Sequence, residues 1–152
     1  MRHAKHYVPL TVMTAFSFIA MYILMYSMVD RIGYVYNSIN QVYMAALMAA
    51  PMALIEVVVM RKMYPDRALN YAVIAGSVVA GILFFALIRY QAGVDDRQFI
   101  RSMIPHHSGA ILMCREAAIA DAELKKLCGE IIEGQQREID QMQGILARLR
   151  RS

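Results

Sequence analysis

Three long uncharged stretches constrain this chain more than any other feature. Residues 7–29 (YVPLTVMTAFSFIAMYILMYSMV) run for 23 positions without a charge, and residues 68–88 for 21. As helices rising roughly 1.5 Å per residue, each is long enough to cross the ~30 Å hydrocarbon layer of a bilayer. Between Arg31 and Arg61 the only charged side chain is Glu56, which predicts a further helix over 39–60. The polar segment RKMYPDR (61–67), with Pro65, makes the turn that follows. The expected organisation is a three-span membrane module over 1–88, with helices at 7–29, 39–60 and 68–88, followed by a separate unit over 89–152.

Composition agrees. Hydrophobic residues make up 59% of the chain and charged residues 18%, against roughly 45–50% and about 25% in soluble domains. Two cysteines exclude a disulfide-rich scaffold and a four-thiolate zinc site. The first apolar stretch exceeds the roughly 7–15 residues of a signal-peptide core and lacks a small-x-small cleavage site before Asp30, so it reads as a retained anchor. Arg2, Lys5, Arg61, Lys62 and Arg67 flank the spans on one side; Arg31, Arg89, Arg97 and Arg101 flank them on the other. That bias favours an N-terminus inside the cytoplasm and residues 89–152 outside it.

The exported unit holds ten Lys/Arg and nine Asp/Glu, so the net charge of +4 resides mainly in the membrane part. Interspersed signs give no clustered basic face, and nucleic acid is not an expected partner. Two helices are predicted. One carries a seam of Ile100, Met103, His107, Ala110, Cys114 and Ala117; the other, Leu124, Cys128, Ile131, Gln135, Glu138, Met142, Ile145 and Leu149. Asp121 is the expected N-cap of the second. Folding the pair about Asp121 as an antiparallel hairpin sets Cys114 opposite Cys128 and His107 opposite Gln135, and places Met103 beside Ile139, near Glu138 and Met142. The cysteines read either as a disulfide in an oxidising compartment or as two small core residues. A two-helix unit buries little core, so pairing with a second copy into a four-helix bundle is expected.

Candidate chemistry concentrates in MIPHHSGAILMC (103–114). Met103, His106, His107 and Met142 are the first candidates for metal ligands, with Met113 and Glu138 next and Gln135 behind them. Thioether and imidazole donors select soft cations, Cu(I) above all. Pro105 leaves open whether Met103 belongs to the same helix as His107 or to the segment entering it. The alternative is that the methionines are core and the histidines solvated. The 13 methionines of the chain raise the same question inside the membrane. Met44, Met48, Met52, Glu56 and Met60 form an i,i+4 ridge on the second span, readable as a thioether ladder or as adaptable packing. Gly76, Ser77, Ala80 and Gly81 predict close helix contact on the third span. HExxH, GxSxG, Gly-rich phosphate loops and Glu-x-x-His pairs are all missing, so no enzyme is expected.

The residues Met103, Ile104, His106, His107, Ala110, Ile111 and Met113, followed by Ile131, Ile132, Gln135, Glu138, Ile139 and Met142, resemble the pattern of the family called domain of unknown function 305. The resemblance covers about residues 95–150, and MYILMY with YMAALMAAPMALIE resembles a three-span module found in membrane members. It implies an all-α, ferritin-like helical bundle, an exported bacterial domain and a link to copper binding or tolerance. Longer members carry two histidine hairpins; this chain has one, which favours a homo-oligomer. The cysteines stand outside the pattern. The expectation is therefore a copper-binding protein anchored in a bacterial inner membrane, with a periplasmic hairpin that sequesters copper or delivers it to an unnamed partner protein. The alternative is a metal-free interaction or dimerisation module.

Overall fold

The computed structural model describes residues 7–151, and among them the secondary structure is helical throughout. Helix α1 spans Tyr7–Leu24, α2 Ile39–Val59, α3 Arg67–Arg89, α4 Asp96–Glu116 and α5 Ala122–Leu149. Two short 3-10 turns, Met25–Met28 and Ile32–Tyr34, lie between α1 and α2. Three of the helical stretches, Tyr7–Met28, Ile39–Val59 and Arg67–Arg89, are long and apolar enough to cross a membrane. The chain divides into two compact units, and the division departs from a simple cut at residue 88. One unit comprises the chain up to Met25 together with Asn40–Ala92; the other joins Tyr26–Ile39 to the segment from Gly93 onward.

In the apolar unit, Leu10, Val57 and Tyr64 form a buried cluster, with Tyr7, Met13, Ala53, Val73 and Ile74 packed on it. Tyr7 donates to the Asp66 carbonyl at 3.0 Å and to Asn70 Oδ1 at 2.8 Å, and Asn70 Nδ2 donates to the Tyr64 carbonyl. Asp66 caps α3 by accepting from the Ala68 and Leu69 N–H groups. The small residues that pack closely lie on α2, where Ala45, Ala49 and Ala50 are buried. The expected contact at Gly76 and Gly81 is not found: a side chain at either glycine would meet nothing within 4 Å, and α3 buries no residue. Its apolar side chains, among them Val79, Ile82 and Phe85, are exposed.

The second unit is an antiparallel hairpin with an added strap. Asp95 caps α4 through the Gln98 N–H, and Asp121 caps α5 through the Leu124 N–H at 2.8 Å. Arg97 at the start of α4 donates to the Leu149 carbonyl at the end of α5, fastening the open end. Near the turn, Cys114 and Cys128 are joined by a disulfide with Cα atoms 5.2 Å apart. The core is Ile100, Ile104 and Ile111 of α4, Ile139 and Leu146 of α5, and Tyr34 from the strap.

This core differs from the expected seams. Leu124 is 45% exposed and Glu138 faces solvent, while Ile139 and Leu146 are buried. The buried stripe is rotated by about one residue because the helices pack on two things at once, each other and the strap. The Gln136 and Gln143 side-chain amides donate to the hydroxyls of Tyr34 and Tyr36. A polar residue beside the seam thus acquires a partner that a two-helix reading cannot supply.

Candidate functional site

The site is built on α4, which continues through Pro105 without a break. Met103 therefore sits one helical turn before His107, on the same face. The missing proline N–H removes one i,i−4 bond, a tolerable loss in a helix packed on both sides.

His107 is the focus. Its side chain is 12% exposed, and Nδ1 lies 3.0 Å from Glu138 Oε2 on α5. The contact has ion-pair distance without hydrogen-bond alignment, so Nδ1 is buried with no hydrogen-bond partner. Burial of the ring holds the imidazole below its ordinary pKa of 6.5; the Glu138 carboxylate pulls the other way and His106 adds to the lowering. At neutral pH the ring is accordingly uncharged, with a lone pair to offer.

The partner of His107 is a correction to the expected register. Gln135 was expected opposite it, whereas its polar contact is with Glu138, three residues further along α5. The disulfide at Cys114 and Cys128 keeps the symmetric alignment near the turn. One turn back on α4 and one turn forward on α5, the same register makes Met103 level with Met142. Met103 is half-buried, and Met142 packs against the isoleucine core.

The other candidates separate from this group. His106 is exposed, its ring centroid 6.0 Å from that of His107. Met113 is 54% exposed. Gln135 is half-buried on α5. Among the described residues no three His, Cys, Asp or Glu side chains converge as a metal cage. A cation here would rest on His107, with Met103 one helical turn before it on α4 and Met142 one turn beyond Glu138 on α5 as the available thioethers. That donor set, one neutral nitrogen and two sulfurs, suits a soft monovalent ion and not a hard divalent one.

The strap supplies residues that sequence reasoning missed. Ser108 is fully buried, and its hydroxyl accepts the Asp30 N–H at 2.8 Å. Gly109 abuts the strap so closely that an added Cβ would lie 3.3 Å from the Met28 carbonyl oxygen. Asp30, in turn, receives Arg115 at 2.7 Å and Arg31 at 3.4 Å. The Ser-Gly after the two histidines is thus the seat of the α1–α2 connection. The three tyrosines at 26, 34 and 36 around the charged pair Asp30 and Arg31 are the available signal, since aromatic residues need a surface to cover.

The family described as Domain of unknown function (DUF305) matches residues 86–146. A protein of Acanthamoeba polyphaga mimivirus, named Uncharacterized protein L153, is 34% identical over 119 residues, covering 77% of this chain and 76% of its own. That alignment is longer than the stretch from residue 86 to the C-terminus, so the likeness runs into the apolar helices. No solved structure matches the chain. With the hairpin matched by the family and a relative aligned over most of both chains, this protein belongs to the DUF305 family.

Proposed function

We propose that this is a membrane-anchored protein whose exported hairpin binds copper as Cu(I), for sequestration or delivery and not for catalysis. His107 carries the reading: a largely buried imidazole held below its ordinary pKa, 3.0 Å from Glu138 and one helical turn from Met103. His107 would ligate through Nε2, and Met103 and Met142 would supply thioethers. Glu138 would hold the ring from Nδ1, the arrangement that fixes the tautomer of metal-binding histidines. The bound ion would supply soft-cation chemistry; the chain would shield it among isoleucines and keep its ligand unprotonated.

Support for three membrane crossings comes from the second unit. The α1–α2 connection packs on the hairpin that follows α3. Two segments separated by two crossings lie on one side of a bilayer, and those two crossings are α2 and α3. With the N-terminus inside, that side is extracytoplasmic, where a Cys114–Cys128 disulfide persists.

The test is competition for Cu(I) against a chromophoric chelator, using the full chain in nanodiscs. An excised hairpin would lack the strap that completes its core. Affinity that falls about 10–100-fold in Met103→Leu and His107→Gln supports the reading. Unchanged affinity overturns it. Loss of self-association without any change in Cu(I) binding would favour a metal-free pairing module, a reading that draws on Leu124 and Leu127, both exposed at the start of α5.

A further inference from the structure

We propose a second soft-cation site, within the apolar helices and independent of the hairpin, formed by the thioethers of Met13, Met52 and Met60 with the carboxylate of Glu56. These four, with Ile55 and Val59, line a recess of about 470 Å³. Met52 and Glu56 lie on successive turns of α2, Met60 follows its last residue, and Met13 joins them from α1. Met44 and Met48, on the same ridge, do not line it.

Glu56 is the reason to expect an ion. Its Oε1 accepts the Tyr64 hydroxyl at 2.5 Å, while Oε2 is buried with no hydrogen-bond partner. A carboxylate oxygen in apolar surroundings demands a compensating proton or cation. No lysine or arginine lines the recess to provide one. Three neutral sulfurs do not compete for hard ions such as Na⁺ or Mg²⁺, but they are strong partners for Cu(I). Charge makes the selection sharper. One carboxylate neutralises a monovalent ion, whereas a divalent ion would leave excess charge in a low-dielectric site.

The probe is Ag(I), a redox-inert soft monovalent cation, added to the full chain in nanodiscs with ¹³C-labelled methionine methyls. Met103→Leu and His107→Gln are present throughout, so failure of the hairpin reading leaves this test intact. The methyls of Met13, Met52 and Met60 are expected to shift together and saturate near about one equivalent, with Met44 and Met48 unmoved. Glu56→Gln should weaken binding by about tenfold or more, and Met52→Leu, which conserves volume, should do the same. Silent methyls at all three positions, equal non-saturating shifts across the whole ridge, or full affinity in both variants would each overturn the proposal.

Discussion

The Ser108 hydroxyl, fully buried on α4, accepts the backbone N–H of Asp30 at 2.8 Å, linking two residues 78 positions apart. That bond seats the α1–α2 connection on the hairpin. Without it the Asp30 N–H would be buried and unpaired, which costs about 1–3 kcal/mol. Ser108→Ala should therefore lower the unfolding free energy by that amount and expose residues 26–39 to protease. Thermal melts and limited proteolysis of the nanodisc-embedded protein check it; an unshifted melt with a protected strap would contradict it.

Gly109 makes a sharper demand. A Cβ there would stand 3.3 Å from the Met28 carbonyl oxygen, tighter than ordinary contact. Gly109→Val adds further bulk against backbone and should displace the strap altogether. The expected readout is loss of protection at the Asp30 amide in hydrogen exchange, with the α4 and α5 amides still protected. Retained protection at Asp30 would show that the strap tolerates the intrusion.

The disulfide closes a loop of sequence separation 14. Constraining the unfolded chain over that length is worth about 3 kcal/mol on the chain-entropy account. The double variant Cys114→Ser, Cys128→Ser should melt lower than the oxidised protein and equal to the reduced one. Alkylation of both thiols in protein isolated without reductant would contradict an oxidising location for the hairpin.

The pH dependence follows from His107, whose folded-state pKa lies below the 6.5 of the unfolded chain because its ring is buried. Below that value the unfolded state takes up the proton more readily, so stability falls with pH. The hairpin should be at full stability above pH 6.5 and weaken as pH drops through and beneath it. His107→Gln should flatten the profile between pH about 8 and about 5. A profile equally steep in the variant would assign the loss to another group.

Much of this architecture is legible in the sequence, for physical reasons. The three long apolar helices are legible because length and absence of charge suffice to mark them. The cap at Asp121 and the nearness of Cys114 to Cys128 follow from local spacing. Spacing put both Gln135 and Glu138 on the seam facing His107, and which of them comes within 3.0 Å depends on a helix offset that spacing alone does not fix. Ser108 and Gly109 look like helix filler until the Asp30 and Met28 backbones are set beside them. The recess at Glu56 needed Met13, which lies on another helix and outside the ridge that periodicity picks out.

X-ray absorption at the copper edge tests the central claim most directly. The full chain, loaded with Cu(I) in nanodiscs and carrying Met52→Leu and Met60→Leu to remove the thioethers lining the recess at Glu56, is predicted to show imidazole nitrogen and thioether sulfur around the metal. The nitrogen signature should vanish in His107→Gln. A copper environment without imidazole, or one unaltered by that substitution, would contradict the account.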